Sequence, residues 1–185
     1  MQDNELINAA TAVRQTQQWL DHFVIELDLC PFARRERVLE TIRFCVSDAA
    51  TEADLLCDLE TELSHLDQHP EVATTLLIHP HVLTQFLDYN QFLNAADDAL
   101  VRLSHAGVYQ VASFHPDYQF AGTKNNDPEN FTNRSPYPML HLLREASVEA
   151  ALKRYANPDQ IPANNIEKLN ALGLHAIRAR LASLT

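Results

Sequence analysis

Two short stretches carry the side chains best suited to chemistry. His79-Pro80-His81 and His115-Pro116-Asp117 each follow an apolar run, Thr74-Thr75-Leu76-Leu77-Ile78 in the first case and Val108-Tyr109-Gln110-Val111-Ala112-Ser113-Phe114 in the second. In extended backbone, side chains two apart point to the same side, so each elbow offers a pair. Neighbouring strand ends lie about 5 Å apart, which would bring the two pairs together. Imidazole and carboxylate groups at that separation form a donor set for Zn²⁺ or another divalent first-row metal. Without a metal, a histidine that titrates near neutral pH is itself an acid or a base. The spacing therefore names His79, His115 and Asp117 as catalytic candidates and His79, His81, His115 and Asp117 as metal candidates. The plainer alternative is that each proline ends a strand and the histidines bond backbone at the sheet rim.

Three basic residues extend this centre. Arg134 and Lys124 belong to an Asn- and Pro-rich stretch at 117–138 without periodicity. A loop of that length in a compact domain is uncommon and often functional. Arg134 is a candidate bidentate clamp for a carboxylate or phosphate. Arg34, in Cys30-Pro31-Phe32-Ala33-Arg34-Arg35, is a second anion contact, in a turn between a helix and a strand. Nearby arginines would also depress the Cys30 thiol toward a nucleophilic thiolate, although a lone cysteine before proline is more often a small buried hydrophobe. Tyr118, Phe120, Phe131 and Tyr137 are the apolar anchors the loop offers.

Periodicity supplies the elements that position these groups. Residues 5–28 read as an amphipathic helix with Leu6, Ala10, Val13, Leu20, Phe23 and Leu27 on one face, ended at Pro31. Val38, Ile42, Phe44 and Val46 share one face of a strand over 38–46. Thr51 with Asp54 is an N-cap pattern ahead of Leu55, Leu56, Leu59, Leu63 and Leu66, and the acidic side of this helix, 52–62, reads as a charged outer face. A strand at 73–79, a helix at 84–106 stopped by Gly107, and a strand at 108–114 follow. Residues 139–145 and 147–155 read as helical, and a last helix runs to about 184 with Ile166, Leu169, Ile177 and Leu181 inward. His141 and Glu145 are then an ordinary pair four apart on a helix. The expected fold is α/β, a single globular domain over 1–185. Its sheet is three-stranded and mainly parallel, from a β-α-β-α-β core with N-terminal and C-terminal helices added. The alternative is an α+β sandwich with a fourth strand at 118–123.

Composition narrows the partners. Only 3 Gly among 185 residues and no Gly-rich phosphate motif argue against a nucleotide loop. A formal net charge of -11 works against nucleic acid, whose phosphates reward Lys and Arg. No apolar run approaches the length of a membrane span. The three cysteines are odd in number and lack CxxC spacing, which suits a reducing cytoplasm. The expected partner is a small molecule, with neither nucleic acid nor membrane.

Cys30-Pro31-Phe32-Ala33, Leu76-Leu77-Ile78-His79-Pro80, Phe114-His115-Pro116-Asp117-Tyr118-Gln119-Phe120 and Asn133-Arg134-Ser135-Pro136-Tyr137-Pro138 are four separated motifs. Together they resemble the uncharacterised domain-of-unknown-function family 1415, over residues 19–152. The resemblance implies a single-domain soluble protein and implies no activity. From the residues, the leading expectation is a small enzyme acting on a polar or anionic small molecule at the histidine-bearing strand ends, with a divalent metal such as Zn²⁺ as its candidate cofactor. The alternative is a non-catalytic ligand-binding or protein-interaction module.

Overall fold

The computed structural model describes residues 8–184, so residues 5–7 of the expected first helix, Leu6 included, lie outside it. Helix α1 (Ala9–Trp19) is capped by the Asn8 side chain, which accepts the Ala10 N–H. It continues into a π-helical turn, Leu20–Ile25. There the wider winding brings Leu20, Phe23, Val24 and Ile25 all to the buried side, which the narrower stripe of a regular α-helix would not do. Helix α2 (Ala33–Val38) follows, and strand β1 (Ile42–Val46) begins only after it. Val38, expected to share a strand face with Ile42, Phe44 and Val46, ends α2 instead and is 77% exposed. Glu40, at φ 55, turns the chain between the two elements.

Helix α3 (Glu52–Gln68) starts as its cap pattern predicts, with the Asp54 N–H donating to the Thr51 hydroxyl. Strand β2 (Thr74–Ile78), helix α4 (Phe86–Arg102) and strand β3 (Tyr109–Phe114) complete two crossovers. Helix α4 stops before the expected Gly107, because Ser104 takes the left-handed conformation at φ 61.

The sheet has four strands in the order β1-β2-β4-β3. The fourth, β4 (Met139–Arg144), occupies residues expected to be helical, and it is antiparallel to both β2 and β3. Residues 118–123 form no strand. Methionine and leucine favour helices intrinsically, but a central slot between two apolar strands overrides that weak preference. The pair β1–β2 is parallel, so the fold is α/β with a mixed sheet. Leu55, Leu59, Leu63 and Leu66 of α3 and Tyr89, Phe92 and Ala96 of α4 cover one face. Trp19, the π-helical turn, Leu169 and Ile177 cover the other. Helix α5 (Glu145–Leu152) follows β4, and the last helix is broken at Gly173 (φ 79) into α6 (Ile161–Leu172) and α7 (Leu174–Ala182).

Candidate functional site

The two histidine elbows converge, although β4 separates their strands. The connection into β4 runs between the two strand ends: the His115 N–H donates to Asn133 O, and the His79 N–H to Pro138 O. Both side chains leave the sheet on the α4 face, and Tyr89 joins them. The His79 ring stacks on Tyr89 at 5.8 Å, and the His115 ring tilts against it at 5.1 Å. The Tyr89 hydroxyl donates to Met139 O and accepts the Phe114 N–H, closing the end of the β3–β4 pair. Burial, the largest cause, pushes the Tyr89 phenol well above its usual value.

The partners of each imidazole fix its tautomer. A carbonyl only accepts, so His79 Nδ1–H donates to Val82 O at 3.0 Å, and His115 Nε2–H donates to Leu83 O at 3.2 Å. His115 Nδ1 accepts the Asp117 N–H at 3.0 Å. Both rings are 0% exposed and neutral. Burial pushes His79 down to about 4, with the neighbouring His115 adding to it, and burial also lowers His115. One atom is left over: His79 Nε2, buried and without a hydrogen-bond partner among the described residues.

The expected metal set is not assembled. Among the described residues, no group of three or more His, Cys, Asp or Glu is placed to hold a metal ion. Asp117 is exposed and meets His115 through its backbone N–H, and His81 sits partly exposed in the turn after β2. The turns at 80–81 and 116–117 end the extended backbone that would have paired positions two apart. Nor does Arg34 reach the histidines. It lies on α2, donates to Ile25 O, and belongs to the layer on the other face of the sheet. Arg134 is 8% exposed, and its guanidinium donates to Tyr118 O, Asn125 O and Asn125 Oδ1 while lying 4.4 Å over the Phe131 ring. Lys124 is exposed, with its N–H donating to Asp127. Burial raises the Cys30 thiol, opposite to the shift a nucleophile needs. Of the expected aromatic anchors, Phe131 is buried and Tyr118 packs on Phe86, whereas Phe120 is exposed.

The concave surface lies one loop away. A cleft of about 470 Å³ runs between the end of β1 and α3, walled by Cys45, Ser47, Asp48, Asp54, Asp58 and Glu62. It meets at Ala50 a second hollow of about 320 Å³ bounded by Thr51, Glu52, Val82, Leu83, Gln85 and Asp88. Val82 and Leu83 are the residues whose carbonyls the two histidines hold. Asp54, Asp58 and Glu62 stand four residues apart on α3, about 6 Å per step along the cleft. Arg43 makes a two-point bridge to Glu62 at 2.7 and 3.0 Å; burial would raise that carboxyl, but these bonds hold it below the usual carboxylate range. Ser47 donates to Asp58 and accepts the Ala49 N–H. The Cys45 thiol in this cleft is pushed up to about 11 by burial and by Glu62, so it is protonated near neutral pH. The acidic side of α3 is solvent-facing at Glu52 and Asp54, as its composition predicts, and buries only Glu62; its four-residue spacing also lines the cleft, which the sequence did not indicate. Tyr89 had no sequence signal.

A family model described as protein of unknown function, DUF1415, matches residues 11–179. The chain belongs to that family. The match extends past both ends of the stretch over which the four motifs suggested it. Among curated proteins and among solved structures, none matches the chain. Among the described residues no helix is long and apolar enough to cross a membrane.

Proposed function

We propose that this member of the DUF1415 family binds a small, polar, positively charged molecule in the cleft at the carboxyl ends of β1 and β2. The observation that carries this reading is the cleft itself, at the end of an α/β sheet where loops gather and ligands bind. Its walls choose the charge. Asp48, Asp54, Asp58, Glu52 and Asp88 line it, and Arg43 is committed to Glu62. An anion would meet carboxylates on both sides, whereas an ammonium or guanidinium group about 4 Å from one gains roughly 1–4 kcal/mol, depending on exposure. The repeat along α3 suits a linear diamine better than a single cation.

The test is a nuclear magnetic resonance titration at pH 7.5 with putrescine, a linear diamine, and inorganic phosphate as the probe of opposite charge. Putrescine should shift the amides of Ser47, Ala50, Thr51 and Leu83, weaken with added salt, and leave α6 and α7 unmoved. Phosphate should shift none of them. A putrescine response spread evenly over the acidic surface would reject the cleft.

A second reading, an acid–base enzyme, is favoured by one observation: the unpartnered Nε2 of His79 is a lone pair suited to accept a proton. In that reading the loop at 80–85 moves aside to admit the substrate, and His79→Asn abolishes turnover while leaving putrescine affinity within twofold.

A further inference from the structure

We propose that the loop at 80–85 is a histidine-latched gate in the wall of the second hollow, beside a cleft along α3 that is already open to a ligand: His79 and His115 hold the gate shut while both rings are neutral, and protonating either ring releases it. This rests on the cleft being the binding site. The geometry is specific to the gate. The two rings donate to consecutive carbonyls, those of Val82 and Leu83, so the loop is fixed at adjacent points from two strands. Between those points Leu83 is held at φ 55, a conformation rare for a bulky residue and strained without support. The same residue packs its side chain into the core, at 8% exposure, and lines the cleft. A segment that is strained, latched by two titratable donors and part of a pocket wall has two discrete positions available to it.

Protonation strengthens each ring's bond to its loop carbonyl, so release comes from the cost of a buried charge and, on His115, from a donor facing a donor. On His115 the new proton would sit on Nδ1, where the Asp117 N–H already points, so a donor would face a donor. On His79 it would sit on Nε2, which has no acceptor within the described residues. Each charge would also be buried beside the other ring. Beyond the loop carbonyls of Val82 and Leu83 and the Thr84 backbone, which favour the charged rings, the surroundings offer little relief. From α4, His79 faces Tyr89, and His115 faces Tyr89 and Phe86. The connection into β4 brings Pro138 O and Asn133 O, both already accepting from the histidine backbones. Asp117 is the carboxylate whose charge bears on His115, and Arg134 lies close enough to share its field. Glu52 and Asp88 stand on the cleft side of the loop. Opening the loop hydrates the imidazolium and relaxes Leu83, so acid favours the open state.

Hydrogen exchange followed by NMR tests this without a ligand. Once corrected for the intrinsic pH dependence of exchange, the Tyr89 amide, which donates to the loop's Gln85 O, should lose protection on the order of 30-fold between pH 7.5 and 5 from His79 alone, whose latched value is about 4 and open-state value near 6.5, and further from His115. Leu77 and Leu140, in the sheet, should lose only what global stability loses and stay far better protected than the loop's reporter at every pH. The doubly substituted His79→Asn, His115→Gln protein retains amide donors near the Nδ1 and Nε2 positions but cannot titrate, and its loop should stay protected at pH 5. Unchanged loop protection in the natural protein at pH 5 would overturn the gate. So would a loop reporter that exchanges only at the rate of the sheet, the mark of global unfolding, and so would a folded double variant that opens in acid like the natural protein. Should the double variant not fold, the natural protein's exchange decides alone. If putrescine fails to bind at pH 7.5, the cleft reading falls whatever the loop does; if it binds while the loop stays protected in acid, the gate alone falls.

Discussion

Burial of neutral histidine sets a direct expectation at the scale of single residues. His79 and His141 are both pushed down to about 4, against 6.5 for the free side chain. His141 stands on β4, where its Nε2–H donates to the Thr74 hydroxyl, and burial is the cause of its shift. Both shifts depress the folded-state value, so the unfolded chain takes up protons first on acidification. Stability is therefore fully present above about pH 6.5 and is lost as pH falls toward 4, by about 3 kcal/mol for each of the two histidines. Denaturant midpoints measured from pH 7.5 to 4.5 should show this slope, and His79→Asn should remove a share of it. A midpoint unchanged down to pH 5 would contradict the neutral, buried assignment. Arg134 gives a second expectation. With three hydrogen bonds to loop backbone and side-chain oxygens and a face on Phe131, Arg134→Ala should cost about 2–4 kcal/mol, read from chemical denaturation, and Arg134→Lys should recover little of it. Full stability in Arg134→Ala would leave it free to be the anion contact its sequence context suggested.

At the scale of elements, β4 decides what was legible. The strands at β2 and β3 announced themselves by β-branched and aromatic runs ending at proline, and α3 by its cap and leucine stripe. Met139-Leu140-His141-Leu142-Leu143-Arg144 carries no such signature, since a short apolar run reads equally as strand or helix. Its length and the prolines at 136 and 138 favoured a strand, but the slot between β2 and β3 exists only in three dimensions. Missing it placed His79 and His115 on adjacent strands, where in fact Tyr89 of α4 brings them together. Placing His141 on a helix was the same error. Arg144, the last residue of β4, shows how much depends on this strand. Its guanidinium donates to Leu66 O, His69 O and Val72 O, satisfying carbonyls at the end of α3, and bonds the Tyr109 hydroxyl. Arg144→Ala should therefore cost about 2–3 kcal/mol, with lost helical signal at the end of α3, whereas Leu142→Ala in the strand centre should cost about 2–5 kcal/mol. Losses below 1 kcal/mol would mean that β4 is marginal to the fold.

For the whole molecule, the sheet has one chemically distinctive end. The cleft opens beside β1 and β2, the latched loop forms part of its wall, and the connection into β4 fills the space between the β2 and β3 ends. The sequence pointed to the carboxyl ends of the strands, but to those of β2 and β3 and not to the β1–β2 cleft; Arg34 and Arg134 bond to protein oxygens, and the carboxylates of α3 that line the cleft are what the proposed cation preference rests on. Ala50 is the exposed junction of the two hollows, so a large side chain there fills the cleft without entering the core. The most direct test is the putrescine affinity of the natural protein and of Ala50→Trp, measured by calorimetry at pH 7.5 and low salt. Saturable binding by the natural protein, weakened tenfold or more in Ala50→Trp at an unchanged melting temperature, is the expected result. Equal affinity in the two proteins, or no binding by the natural one, would contradict a cation-binding cleft at the carboxyl ends of β1 and β2.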